Sequence, residues 1–496
     1  MTSFDEKPEQ VERSAFLFTV VIPTLNRCET LKDTLESCVR EADQGLRILV
    51  SDNLSDDRTQ ELVREFAQRD PRVSCVQPPS RLGVSRHWEF AITQVQEGFV
   101  MVLGSDDALL PSAVSRARKL LEDHPGVLVL HGEPAGVYVY PSFENGMGDR
   151  LVVTLDSVGA GRLRRSEEWL RRAARAECDV VDLPVVYQHS FVHVSVLQKI
   201  IAVSGGLIHS VFPDYFLAVA VATQVDSYLH CAPGFSLPGT SGLSLGAAGF
   251  HPGGNRELER AFKADAEIPY HPAVGEVRSV HIAMGETLLR ISECGLLKDA
   301  PPIAWDRMVA KAMMQFHTEG WGDAEKEHNV KTLQDLAHSL GCAHILPQDD
   351  SSAGLVAWSK QLGFALSPPV ATTGCELNGQ SLGIKGVDQA AMVAEEMMML
   401  CQDPASKEGS TCQNVLAHSL LTQVQGLRKL AGGLAIEVQS LRDESRRRGQ
   451  ERDRAKLELA RLKEKTKNRQ GAKVKRQPEV RSRVQSFFHL ILAKFR

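Results

Sequence analysis

Two adjacent carboxylates, Asp106 and Asp107, end the apolar run Phe99-Val-Met-Val-Leu-Gly-Ser and precede Ala-Leu-Leu-Pro. Neighbouring acids at a strand end repel each other unless a cation or hydrogen-bond donors sit between them. A divalent ion meets that need, because Mn²⁺ or Mg²⁺ takes one or two carboxylates and completes its shell with phosphate oxygens. An ion held this way would bridge a diphosphate and neutralise its charge as a leaving group. Taken alone, the pair would equally suit a solvated loop that caps the helix after Pro111. Three earlier turns shift the balance, since each carries polar groups in the same position: Pro23-Thr24-Leu25-Asn26-Arg27, Ser51-Asp52-Asn53 and Arg81-Leu82-Gly83.

The segments between these turns explain why they should meet. FLFTVVIPT, LRILVSDN, VSCVQ and FVMVLGSDD are short apolar runs, and runs of this kind mark strands buried on both faces of a parallel sheet. Helical spacing separates them, over Glu29 to Ala42, through SDDRTQELVREFAQRD and over His87 to Gln96. Alternating strand and helix is the grammar of an α/β domain, in which ligands bind beyond the carboxyl ends of the strands. No G-x-G-x-x-G follows the first strand, and no G-x-x-x-x-G-K-[ST] occurs, so dinucleotide and P-loop folds are disfavoured.

VVIPTLNR, LVSDNLSDD, SRLGVSRHWEFA and FVMVLGSDDALLP together resemble the successive landmarks of the family 2 glycosyltransferases, strongly over residues 17–130 and more weakly to 245. The resemblance implies a GT-A fold, a Rossmann-like, mostly parallel central sheet flanked by helices. It also implies roles: Pro23, Thr24 and Asn26 line the nucleotide pocket, Asp52 accepts from the base, and Arg81 lies near the base or phosphates. Asp106 and Asp107 match the motif that holds ribose and metal. One position departs from many relatives, which carry Asp where this chain has Gly104.

An inverting transfer needs a general base for the acceptor hydroxyl. The stretch from VVYQHSF to PDYFLAVAVA resembles the family's second half, where an acid precedes a helix over the sugar, and Asp214 is the expected base. It would also serve as a plain helix cap. Asp179 and Asp182 are runner-up acids. His189 and His193, four apart, read as one face of a helix.

The rest of the chain carries less chemistry. Residues 1–13 read as a disordered N-terminus and 14–245 as the GT-A domain. A mainly helical accessory region follows over 250–410, then a coiled coil over 416–466 and a basic amphipathic tail over 467–496. The coiled coil rests on a seam of Ala417, Leu420, Val424, Leu427, Ala431, Leu434, Val438 and Leu441, which implies a homo-oligomer. Residues 441–496 hold 19 Lys and Arg against 7 Asp and Glu; that excess of 12 leaves −17 on the remainder, given −5 overall. Val484, Phe487, Phe488 and Leu490 among those cations suit an anionic membrane surface. Nucleic acid is an unlikely partner, because the basic run has no interleaved aromatics. There is no basic n-region, no 18-residue apolar window and no C-x-x-C among ten cysteines, so the expected location is cytoplasmic, peripheral at the inner face of the membrane.

The sequence thus reads as an inverting, Mn²⁺- or Mg²⁺-dependent glycosyltransferase. Its donor would be a nucleoside-diphosphate sugar, UDP-linked by preference, and its acceptor a hydroxyl on a glycan, glycolipid or protein. The alternative is a catalytically degenerate domain displayed on a coiled coil as an interaction protein. A nucleotidyltransferase is disfavoured, since IPTLNRCET lacks glycines.

Overall fold

The computed structural model describes residues 16–143, 148–154, 159–252, 254–349, 352–362 and 374–402. The N-terminal half opens β1 (Phe18–Thr24), α1 (Cys28–Arg40), β2 (Leu46–Asp52), α2 (Thr59–Arg69), β3 (Val73–Val76), α3 (Val84–Thr93) and β4 (Phe99–Val102). β5 (Ala108–Leu109), α4 (Ala113–Asp123), β6 (Val129–Gly132), β7 (Gly136–Val139), β8 (Arg150–Thr154), β9 (Gly159–Arg165) and α5 (Ser166–Ala174) follow. Then come β10 (Ser190–His193), α6 (Val194–Ser204), α7 (Pro213–Gln224), β11 (Ser227–Ala232), β12 (Ser236–Leu237) and β13 (Gly239–Thr240).

The main sheet has eight strands in the order β3-β2-β1-β4-β10-β6-β11-β9. β3, β2, β1 and β4 are mutually parallel, β6 and β11 are parallel to each other, and β10 and β9 run antiparallel to their neighbours. Val20, Val21 and Ile22 on β1 and Ile48 and Val50 on β2 are all fully buried, as continuous apolar strands in the middle of a covered sheet should be. α1 buries Leu31, Leu35 and Cys38, one stripe at helical spacing. The α/β architecture expected from the sequence is therefore present, with β1, β2 and β4 ending along one edge.

α8 (Leu245–Phe250), α9 (Arg256–Ala264), α10 (Val280–Glu293), α11 (Trp305–Thr318), α12 (Asp323–Ser339) and α13 (Ser352–Gln361) follow. β14 (Gly374–Asn378) then pairs antiparallel with β8 and extends a second sheet, β13-β7-β8-β14. After the short α14 (Gly379–Leu382), α15 (Val387–Gln402) packs on α1, β5, β8 and β12. Two ion-paired acids fasten it. Glu395 accepts from the Ser112 backbone N–H at 3.1 Å and from its hydroxyl, and Asp388 pairs with Arg40 at 3.0 Å. Strand pairing and α15 return the chain to the first half, and the described residues fall within one unit. Residues 1–13, the heptad seam and the basic tail lie outside the described residues.

Candidate active site

Side-chain amides stitch the first three turns together. Asn26 sits in the left-handed region (φ 53), which turns its backbone N–H onto Ser55 Oγ at 2.8 Å while its Oδ1 accepts from the Asp56 N–H at 2.9 Å. Asn53 grips the third turn at both groups of Leu82, donating to its carbonyl at 2.7 Å and accepting from its N–H at 3.0 Å. Between them Asp52 is buried, its Oδ1 accepting from the Ser55 N–H at 3.0 Å and its Oδ2 from Gln77 at 2.8 Å. Thr24 is buried beside it, and its hydroxyl has no hydrogen-bond partner. Pro23, one residue before the end of β1, lies opposite Ser51. Behind this floor His87 meets Ser51 Oγ at 3.0 Å, and burial lowers its imidazole to about 4, so it is neutral. Arg81 stands on the rim, its side chain half exposed and paired with Asp265 at 3.8 Å.

The acid pair is split. Asp107 is fully buried and turned back into the fold. Its Oδ2 accepts from the Gly104 N–H and from Gln188, both at 2.7 Å, and its Oδ1 accepts from the Gly239 N–H at 2.8 Å. Burial, reinforced by Asp106, pushes this carboxyl up to about 7 against those three donors. Both oxygens thus accept from protein donors, with which a metal at Asp107 would have to compete. Asp106 faces the other way. Ser241 at 2.7 Å and Ser244 both donate to its Oδ2, and its Oδ1 has no hydrogen-bond partner among the described residues. Arg27, whose guanidinium donates to the Leu243 carbonyl, lies in the field of Asp106. Among the described residues no three His, Cys, Asp or Glu side chains converge on a metal position. One free carboxylate oxygen still fits a Mg²⁺ or Mn²⁺ that draws its remaining ligands from phosphate and water.

Gly104 now has a physical reason. A Cβ there would stand 2.5 Å from Asp107 Oδ2 and 2.6 Å from the Tyr187 hydroxyl. The space another side chain would occupy is filled by Tyr187, which packs on Trp88 with ring centroids 5.1 Å apart. Burial raises the Tyr187 phenol well above its ordinary value, and so do Asp107, Asp106 and Asp214. Asp214 lies in the first turn of α7, one residue past Pro213. Phe212, not Asp214, occupies the cap position. Burial raises the Asp214 carboxyl to about 6, opposed by its own N–H and that of Tyr215.

The runner-up residues have local duties. Asp179 and Asp182 cap each other across a single helical turn. His189 and His193 lie before and on strand β10, because Ser190-Phe191-Val192 between them pairs as a strand; His189 is buried, and His193 accepts from the Ser195 N–H. Tyr187, Gln188, Gly239, Ser241 and Ser244 were not read from sequence. Their signal is the small-residue run Gly239-Thr-Ser-Gly-Leu-Ser, where a Cβ on Gly239 would meet the Asp106 carbonyl at 1.8 Å.

A mostly parallel sheet with stitched turns and an acid-bearing loop at the carboxyl ends of β1, β2 and β4 is the architecture of a GT-A fold. Residues 19–138 match the model of glycosyl transferase family 2, and that segment is a family 2 glycosyltransferase domain. An uncharacterized glycosyltransferase of Methanocaldococcus jannaschii, MJ1057, is 26% identical over 132 residues, 26% of this chain and 44% of that protein. The chain thus spans under half the length of the curated relative it matches. Two solved structures are similar at lower identity. S. aureus TarS 1–349 in complex with UDP-GlcNAc is 12% identical, covering 73% of this chain and 97% of that one, with a TM-score of 0.35. The mannosyltransferase PcManGT from Pyrobaculum calidifontis in complex with GDP-Man and Mn²⁺ is 15% identical, covering 81% and 92%, with a TM-score of 0.34.

Proposed function

We propose that the protein transfers a sugar, with inversion, from a nucleoside-diphosphate donor to a hydroxyl of a glycan, glycolipid or protein. The observation that carries this is Asp106 on the loop after β4, one carboxylate oxygen held by Ser241 and Ser244 and the other left free by the described residues, beside the turns that follow β1 and β2. Asp52 and the Thr24 hydroxyl hold the base and ribose side, with UDP the favoured donor. Asp106 holds the ribose or the divalent ion. When bound, that ion supplies charge neutralisation to the departing diphosphate. Asp214 takes the proton from the acceptor hydroxyl. In the same proposal the protein is cytoplasmic, self-associates through 416–466 and meets the inner membrane face through 467–496. Among the described residues no helix is long and apolar enough to cross a membrane.

A panel of nucleotide sugars, each with and without Mn²⁺, tests the donor site by thermal stabilisation. At a hundredfold excess over its dissociation constant the right donor adds about 2.7 kcal/mol. If no nucleotide sugar moves the melting curve, the transferase reading fails and the interaction-protein alternative stands.

The pH profile tests the base. Asp214 must be ionised to accept a proton, and its carboxyl is raised to about 6. Turnover at limiting acceptor should therefore climb as pH rises through about 6 and level off above it. Asp214→Asn should lose that limb along with about 10²–10⁴-fold of rate. An unchanged profile would remove Asp214 from the reaction.

A further inference from the structure

We infer that the cavity of about 340 Å³ behind the Ser241–Ser244 turn binds a neutral sugar ring, the unit of the acceptor that the protein recognises. The inference rests on the transferase reading above and names its second substrate by chemistry.

Position is the first argument. Ser241 and Ser244, which line the cavity, are the residues whose hydroxyls donate to Asp106. Ala247 and Ala248 of α8 form another part of the wall. The last residue of that helix, Phe250, packs 5.6 Å from Phe212, two residues before Asp214. The cavity thus touches the turn that holds the donor-side acid and the helix that abuts the base-bearing one.

The wall chemistry is the second argument. Asn255 spends its Oδ1 on the N–H groups of Glu257 and Leu258, at 3.1 and 3.0 Å, which leaves its amide NH₂ as donor. The Glu257 carboxylate is exposed and has no side-chain partner among the described residues, so it is an acceptor. The Ser142 hydroxyl can do either, being touched among the described residues only by the Gly242 N–H at 3.4 Å. Phe143 adds an aromatic ring. A donor, an acceptor, an ambivalent hydroxyl and an apolar face suit a ring with alternating hydroxyl and C–H surfaces. They do not suit an anion. The cation in the wall, Arg256, is already paired with Glu259 and Glu325, and its Nη2, which has no hydrogen-bond partner among the described residues, is buried away from the surface. The volume lies at the small end of ligand sites, roughly 300–1,000 Å³, which is room for one ring.

The test uses the full chain with whichever nucleotide stabilises it in the panel above, and glucose, galactose, N-acetylglucosamine and glucose 6-phosphate as probes. Binding is read by saturation-transfer NMR and titration calorimetry. At least one neutral sugar should bind. Ser142→Phe, which fills the cavity from an exposed position, should weaken it about tenfold or more, and Glu257→Gln about threefold, with nucleotide affinity held within about twofold. Melting curves establish that both variants fold, and Glu257→Gln carries the test if Ser142→Phe does not. Three results overturn the site: no neutral sugar binds, binding ignores both variants, or glucose 6-phosphate alone binds. If sugars bind as expected but no nucleotide does, the cavity stands as a sugar site and the transferase reading falls by itself.

Discussion

Asp106→Asn should lower release of nucleoside diphosphate by about 10²–10³-fold, the scale seen when one preorganised charge-stabilising group is removed from a site. Its fold should barely change. The amide oxygen can still accept from Ser241 and Ser244, so the 241–244 turn keeps its anchor. What disappears is the negative charge on the one oxygen of the pair that protein donors leave free. A coupled assay of diphosphate release, beside a melting curve, separates the two effects. Wild-type turnover in this variant would remove the donor-site assignment, and a large fall in melting temperature would mean that the carboxylate is structural.

Asp107→Ala should do the reverse and lose the fold before it loses the chemistry. It strands the Gly104 N–H, the Gly239 N–H and the Gln188 amide in a buried site with no acceptor. Each stranded group costs about 1–3 kcal/mol, and the sum is comparable with the ~5–15 kcal/mol that holds a whole domain together. The expected outcome is aggregated or partly unfolded protein. Gly104→Ala should give a milder form of the same defect, because its methyl crowds Asp107 Oδ2 and the Tyr187 hydroxyl. Denaturant titration checks both. An Asp107→Ala protein with wild-type stability but no Mn²⁺-dependent donor binding would make Asp107 a metal ligand.

The two acids explain how much of the site was legible. Strand, turn and helix alternate strongly from Phe18 to Asp107, so the sequence shows which turns share the sheet edge. It does not show which way a side chain points past a strand end. Asp107 turns inward because Gln188 and Gly239, 81 and 132 residues away, supply its donors. Tyr187 was missed for the same reason, since it matters only through Gly104, where the sequence records an absence. The histidines show a wrong period: four-residue spacing suits a helix, but the Phe-Val between them belongs to a strand. Arg81 was placed by resemblance, and the chain that follows α9 draws it to the rim. β14 was illegible because Gly-Cys-Glu-Leu-Asn is too short and mixed to declare a strand before β8 pairs with it.

That late strand and the helix after it bear on how the enzyme is to be dissected. Val387, Ala390, Ala391, Ala394, Met397 and Met398 of α15 are all buried, as are Tyr138 on β7 and Leu151 and Val153 on β8, strands that α15 contacts. A truncation ending near residue 245, where the transferase-like pattern fades, would shed this cover and present bare apolar surface beside the acid loop. A piece that keeps this cover must reach Gln402, more than 260 residues beyond the last position the family model matches.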